Sequence, residues 1–113
     1  VAVVGLTEEA AKEKGLDYIA GKAIFAGNGK AMTLEETDGF IKIIADKKTH
    51  RLLGGHIIGP HASDLISEAA LAISQGLSIE QIGATVHAHP TLAEAFWEAV
   101  MSAKGEAIHI LPK

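Results

Sequence analysis

The segment His87-Ala88-His89-Pro90-Thr91-Leu92-Ala93-Glu94 holds two histidines and a carboxylate in a pattern suited to proton transfer. An imidazole has an unperturbed pKa of about 6.5, so it takes up and releases protons near neutral pH. Pro90 fixes its own φ and disfavours a helical conformation at His89, which puts this imidazole on a bend just before a helix. The pattern predicts His89 as a base and Glu94 as the carboxylate that orients it. The rest of the chain offers no group for that base to act upon.

Glu94 also has a purely structural interpretation. Thr91 and Glu94 have the spacing of a capping box, in which two side chains satisfy free backbone N–H groups at the start of a helix. Such a cap contributes about 0.5–2 kcal/mol and requires no catalytic role. Because a carboxylate has two oxygens, Glu94 can cap the helix and orient His89 at the same time.

The pair His87 and His89 suggests another possibility, a zinc site, because alternate residues of an extended segment point the same way. A third ligand would have to come from His56, His61 or Glu94, and the spacing requires none of them. We therefore expect no resident metal. A small metal-dependent hydrolase that uses His87 and His89 is kept as an alternative.

The glycine clusters do not have the pattern of a nucleotide-binding loop. Gly27-Asn28-Gly29 is followed by Met32 where a dinucleotide fingerprint has its third glycine, and the chain has no P-loop lysine pattern. Gly54, Gly55 and Gly59 fall in an apolar strand, where glycine permits a bulge or close backbone packing. We expect this chain to bind no cofactor of its own.

Length and composition describe one ordinary domain. The chain has 113 residues, of which 48% are hydrophobic and 21% charged, enough for one core and not typical of disorder. The net charge is −4 and the Lys and Arg residues are scattered, which argues against a nucleic-acid surface. No apolar run is long enough to span a membrane, and no signal-like segment opens the chain.

The absence of cysteine excludes a disulfide, a thiolate metal site and a thiol nucleophile within the chain. It also fits a cytoplasmic protein, or one of the mitochondrial matrix if the source is eukaryotic. The chain starts with Val1 and not with Met. We interpret residues 1–113 as a single domain cut from a larger protein.

The hydrophobic pattern places strands first and helices after them. Strands are predicted over 1–6, 18–25, 40–45 and 52–58, with a short helix between Thr7 and Gly15 and a last short strand over 107–111. Helices are predicted over 63–75, from Ser78 to near Gly83, and from Thr91 to about 104. This order favours an α+β fold, an antiparallel sheet with helices packed on one face.

The segment from His87 to Phe96 resembles the C-terminal signature of the dihydrolipoamide dehydrogenases, which are flavoprotein disulfide reductases. The double-histidine form is fairly specific, because glutathione reductases look similar around His-Pro-Thr but usually lack the first histidine. Three further stretches match the same family: Val4-Gly5-Leu6-Thr7-Glu8-Glu9-Ala10, Glu36-Thr37-Asp38-Gly39-Phe40-Ile41-Lys42, and Leu53-Gly54-Gly55-His56-Ile57-Ile58-Gly59-Pro60 through Glu68-Ala69-Ala70-Leu71-Ala72.

The resemblance covers essentially the whole chain but only the last quarter to third of the family, its interface or dimerisation domain. It implies a homodimer whose FAD, NAD and redox-active cysteine pair belong to parts absent from this chain. It also implies that the parent acts on a lipoyl-bearing protein in a 2-oxoacid dehydrogenase complex. The isolated domain is then expected to have no redox activity.

Particular residues take roles from the resemblance. His89 would be the general base that takes a proton from a dihydrolipoamide thiol at the partner subunit's disulfide, and Glu94 would hold its other nitrogen. The resemblance also implies a cis bond before Pro90, and we assign His87 to supporting the site. Asp64 departs from the family, because many relatives carry glutamate there.

Two further alternatives remain open at this level. One is another flavoprotein disulfide reductase, similar to glutathione reductase. The other is a stand-alone interaction module, in which the His-Pro-Thr turn is only the start of a helix.

Overall fold

The computed structural model describes residues 1–30, 38–59 and 61–108 of the chain. Its centre is a 4-stranded antiparallel sheet with the strand order β1-β4-β3-β2. The strands are β1 (Ala2–Gly5), β2 (Tyr18–Ile24), β3 (Phe40–Asp46) and β4 (Leu52–Ile58). The helices are α1 (Glu8–Glu13), α2 (Ala62–Ser74), α3 (Ile79–Gly83) and α4 (Ala93–Ile108), and a 3₁₀ turn spans Phe25–Gly27. The predicted α+β architecture is confirmed.

The turn between β3 and β4 is closed by the side chain of Asp46. Its Oδ1 accepts hydrogen bonds from the backbone N–H groups of Lys48 and Thr49, both at 2.8 Å. These two bonds, first that of Thr49, hold the pKa of Asp46 below its ordinary value. Aspartate is common in turns for this reason, and this turn connects the strands predicted over 40–45 and 52–58.

One face of the sheet carries the core. Ile41, Ile43 and Ala45 of β3 point to this face, where they pack with residues of α2 and α4. The core is completed by buried side chains from α2, α3 and α4, including Ala69, Ala72, Ile79, Ile82, Phe96, Val100 and Ala103. Phe96 and Val100, which lie on the helix predicted from Thr91 to about 104, are therefore in the core.

The short helix α1 is tied to the opposite face of the sheet. Lys42 points to that face, since it alternates with Ile41 and Ile43 along β3. Glu8 of α1 accepts hydrogen bonds from Lys42 Nζ and, at 2.7 Å, from the hydroxyl of Tyr18. Lys42 and then Tyr18 lower the pKa of Glu8. Thr7 caps this helix by accepting from Ala10 N–H at 2.9 Å, as its sequence position predicts.

The ends of the longer helices follow their sequence signals with one exception. Gly76, with a φ of 64°, follows the end of α2, and Ser78 and Gln81 form the predicted capping box of α3. The strand predicted over 107–111 is wrong at its start, because α4 continues through Ile108. Residues 109–111 lie outside the described residues, as does Pro60 of the predicted turn after β4.

Two strand glycines allow backbones to approach closely. A Cβ at Gly54 would lie 1.9 Å from the Leu6 carbonyl oxygen, and one at Gly21 would lie 2.0 Å from the Ala99 carbonyl oxygen. Gly21 therefore sets how near α4 can lie to β2. The close backbone packing predicted at Gly54 is confirmed.

Replacing Gly21 by alanine should destabilise the domain by about 3 kcal/mol or more, because the new methyl group meets the backbone of α4 and not a movable side chain. Urea unfolding of wild type and variant measures this difference. The matched control is Gly29→Ala, since a Cβ at Gly29 would meet no atom of the described residues within 4 Å. That change should alter the free energy of unfolding by less than about 1 kcal/mol. Equal stabilities for Gly21→Ala and wild type would contradict the close approach.

Candidate active site

The residues predicted to take part in proton transfer lie in the loop between α3 and α4 and in the first turn of α4. This loop bends at His89-Pro90, where the peptide bond is cis. Glu94 follows in the first turn of α4. The loop thus puts the histidine directly in front of the helix that carries its predicted partner.

His89 and Glu94 are in hydrogen-bond contact. Nδ1 of His89 lies 2.9 Å from Oε1 and 3.0 Å from Oε2 of Glu94. An ionised carboxylate only accepts hydrogen bonds, so Nδ1 carries the proton and the neutral ring keeps a lone pair on Nε2. Among the described residues, Nε2 of His89 has no hydrogen-bond partner, and the His89 side chain is 76% exposed. The arrangement can accept a proton at Nε2 while the carboxylate stabilises the imidazolium that forms.

Glu94 combines the two roles that the sequence left open. Its Oε1 also accepts a hydrogen bond from the backbone N–H of Thr91 at 3.0 Å, which is one half of the predicted capping box. The other half is absent, because the Glu94 N–H donates to the backbone carbonyl of Thr91 at 3.4 Å and not to its hydroxyl, which itself donates to the Ala88 carbonyl at 2.7 Å. The same carboxylate therefore fixes the start of α4 and the orientation of His89.

The environment of Glu94 favours its ionised form. The Thr91 N–H bond is the largest cause that lowers the pKa of Glu94, and desolvation partly opposes it. The hydrogen bond of His89 and the charges of His89 and His87 lower this pKa further. Glu98, one turn later on α4, has a pKa raised by burial and by repulsion from Glu94.

His87 lies in the same loop but pairs with a different carboxylate. Its Nε2 lies 2.6 Å from Oε2 of Glu68 on α2, and its Nδ1 lies 3.0 Å from the Thr85 carbonyl oxygen. Its side chain is only 9% exposed. Residues 1–30, 38–59 and 61–108 contain no group of three His, Cys, Asp or Glu side chains arranged to hold a metal ion. The two histidines considered as a zinc pair therefore contact two different carboxylates.

The sequence alone does not identify two residues that contact this loop. Glu68 was seen only as part of a helical stretch, and Asn28 only as part of a glycine-rich turn. Asn28 is buried, and its Nδ2 donates to the Thr91 carbonyl at 3.0 Å. Neither partnership has a local sequence signal, because the paired residues are far apart along the chain.

A shallow cleft of about 290 Å³ adjoins this site. Trp97 stands at its side and donates from Nε1 to the Gly83 carbonyl at 2.9 Å, which ties α4 to the end of α3. His89 is not among the residues that line the cleft, which are Gly83, Ala84, Thr85, Val86, His87, Glu94 and Trp97. The exposed ring of His89 therefore lies outside this cleft.

Asp64, the departure from the family, lies away from this site. Its side chain is 85% exposed on the first turn of α2, and its Oδ2 is 3.8 Å from Nδ1 of His61. No helix in the described part of the chain has the length and apolar character needed to cross a membrane.

The sequence has close relatives among dihydrolipoyl dehydrogenases. It is 53% identical over 110 residues to the mitochondrial dihydrolipoyl dehydrogenase of Sus scrofa, covering 96% of this chain and 22% of that protein. It is 49% identical over 112 residues to the dihydrolipoyl dehydrogenase of Geobacillus stearothermophilus, covering 99% of this chain and 24% of that protein. The chain thus spans about a quarter of the length of these curated relatives.

A solved structure and a protein-family match point to the same group of proteins as these relatives. The solved HOCl-induced flavoprotein disulfide reductase RclA from Escherichia coli superimposes with a TM-score of 0.83 at 27% identity, covering 88% of this chain and 23% of that one. The family described as the pyridine nucleotide-disulphide oxidoreductase dimerisation domain matches residues 1–100. The chain therefore belongs to this family, and it is a dimerisation domain of the kind found in dihydrolipoyl dehydrogenases and related flavoprotein disulfide reductases.

Proposed function

We propose that residues 1–113 form one domain of a larger, dimeric dihydrolipoyl dehydrogenase, and that this domain lends a base to the partner subunit. The observation that carries the proposal is the contact between His89 and Glu94, which leaves Nε2 of an exposed imidazole free to take a proton. The substrate is dihydrolipoamide on a lipoyl-bearing protein of a 2-oxoacid dehydrogenase complex. This choice of substrate is supported by the sequence similarity to dihydrolipoyl dehydrogenases, which are identical to this chain at about half of the aligned positions.

The reaction of this base is a proton transfer that starts thiol–disulfide exchange. Nε2 of His89 takes the proton of one dihydrolipoamide thiol, and the resulting thiolate attacks one sulfur of the enzyme disulfide. A bond forms between these two sulfurs while the enzyme S–S bond breaks, leaving a mixed disulfide and an enzyme thiolate. The second substrate thiol then attacks the substrate sulfur of the mixed disulfide and displaces the enzyme sulfur bound there, so lipoamide leaves as a disulfide. The proton of the second thiol passes to one enzyme sulfur, which leaves one enzyme thiol, one enzyme thiolate and a protonated His89. Glu94 stabilises the positive charge on His89 throughout.

The reacting sulfurs of the enzyme must come from outside this chain, since its sequence contains no cysteine. An exposed His89 can reach them if the domain packs against a second subunit. In a two-fold symmetric dimer each subunit would lend its histidine to the other, giving two equivalent sites. Dimer formation is what the family's dimerisation domain implies.

The cofactors of the parent enzyme would be held by other parts of the polypeptide. The glycines at 27 and 29 lack the third glycine of a dinucleotide loop, and the cleft beside Trp97 has no phosphate-binding lysine or arginine among its lining residues. Neither this glycine pair nor this cleft therefore fits the phosphates of FAD or NAD. We assign to this domain only dimerisation and the base.

His89→Gln in the full gene product should lower the rate of dihydrolipoamide oxidation by about 10²–10⁴-fold, because glutamine cannot accept the thiol proton. The rate is followed as NADH formation by the flavin-loaded dimer, and gel filtration reports the dimer. The control is His61→Gln, which removes an exposed imidazole of α2 whose carboxylate contact is long at 3.8 Å. Full activity of the His89→Gln dimer would refute the base assignment.

The pKa directions of two neighbouring glutamates on α4 predict opposite effects on stability. The pKa of Glu94 is depressed below 4.5 by the Thr91 N–H and His89, so its ionised form stabilises the fold above that pH. Glu94→Gln should therefore destabilise the domain near neutral pH. The difference from wild type should shrink as the pH falls below 4.5, through the lower pKa of the folded state.

Glu98→Gln is the matched variant with the opposite sign. Burial and Glu94 raise the pKa of Glu98 above 4.5, so its ionised form destabilises the fold at neutral pH. The glutamine variant should be more stable than wild type near neutral pH and equal to it in acid. Urea unfolding at several pH values measures both differences. The same sign for both variants at neutral pH would contradict the ionised, hydrogen-bonded state of Glu94.

A further inference from the structure

The loop that carries His89 is held from both sides by side chains of distant elements. Residues 86–90 are neither helix nor strand, and within the described chain they take part in no backbone-to-backbone hydrogen bond of a turn or loop. Ahead of His89, the His87 ring contacts Glu68 of α2; beyond it, the Thr91 carbonyl accepts from Asn28. The position of His89 thus depends on hydrogen bonds of side chains, among them these anchors at either end of the segment and the bond from the Thr91 hydroxyl to the Ala88 carbonyl.

The His87 anchor uses both nitrogens of the ring. The Thr85 carbonyl, 3.0 Å from Nδ1, can only accept, so Nδ1 carries a proton. Nε2 and Oε2 of Glu68, 2.6 Å apart, then share one further proton. A distance this short is typical of a charge-assisted hydrogen bond, which is about twice as strong as a neutral one.

Exposure separates the two histidines of the loop. The His87 side chain is 9% exposed, whereas that of His89 is 76% exposed. Water can replace a lost partner of an exposed ring, but it has little access to a buried one. The buried, hydrogen-bonded ring of His87 is therefore suited to hold the loop in place. The exposed ring of His89 is accessible at the surface of the same loop.

We propose that His87 and Glu68 are positioning residues for the base: their hydrogen bond fixes the loop so that the His89 imidazole stays aligned with Glu94 and turns Nε2 outward. This inference rests on the proposed function of His89. It adds that α2, through Glu68, controls the geometry of a site to which α2 contributes no reacting atom.

The test compares two reductions of the flavin-loaded, full-length dimer by stopped flow. One is reduction by dihydrolipoamide, in which a thiol must lose its proton. The other is flavin reduction by NADH, which removes no proton from a thiol. Glu68→Ala should slow the first by about 10- to 100-fold, the loss typical of an outer partner of a reacting group, and leave the second unchanged. A general loss of folding would slow both.

Graded and paired variants test the hydrogen bond itself. Glu68→Gln keeps a side chain whose amide N–H can donate to Nε2 of a His87 ring protonated at Nδ1, so it should retain most of the rate with dihydrolipoamide. The double variant Glu68→Ala/His87→Gln should be no slower than the slower single variant, because the two residues act as one unit. His87→Gln also serves in place of Glu68→Ala if that variant does not accumulate as a flavin-loaded dimer.

The matched control is His50→Gln. It breaks a similar pair, in which His50 Nδ1 lies 2.7 Å from Oε2 of Glu80, between the turn after β3 and the first turn of α3. Both reductions by this variant should proceed as in wild type.

The outcomes separate this inference from the proposed function. If His89→Gln slows reduction by dihydrolipoamide while Glu68→Ala and His87→Gln do not, the positioning role is wrong and the base stands. Equal slowing of both reductions by Glu68→Ala, or multiplied effects in the double variant, also overturns the positioning role. If His89→Gln itself has no effect, the proposed function has failed.

Discussion

The Glu94 carboxylate is the point on which the local structure of the site depends. One of its oxygens accepts the Thr91 N–H at the start of α4, and both lie within 3.0 Å of the His89 ring. The helix start and the imidazole therefore cannot move independently. Because the Thr91 N–H is the largest cause of the depressed pKa of Glu94, the bond that caps the helix also keeps the carboxylate charged for His89.

The rest of the fold serves to hold α4 in place. Gly21 lets the backbone of α4 come close to β2, and Phe96 and Val100 bury one side of the helix in the core. Trp97 ties the helix to the end of α3. With the helix fixed on the sheet, the loop before it needs only short side-chain anchors to present a histidine at the surface. Functional residues are often placed in this way, on loops that a rigid scaffold holds in position.

Local signals predicted much of this arrangement. The Thr7 cap, the box of Ser78 and Gln81, and the spacing of His89 and Glu94 all act over a few residues, so the sequence carries them directly. The strand order and the anchors made by Glu68 and Asn28 depend on how distant segments pack, and no local pattern contains that. The error at 107–108 has a different origin, since an apolar segment of alternating character can continue a helix or start a strand.

Mixing two inactive variants of the full-length enzyme tests the central claim most directly, that the base acts across the dimer interface. One variant carries His89→Gln, and the other keeps His89 but has serine in place of one redox-active cysteine. Dissociation and random reassociation should restore about a quarter of wild-type activity, since half of the dimers are mixed and each has one intact site. Activity that stays at the level of the unmixed variants would show that His89 does not serve the partner's site.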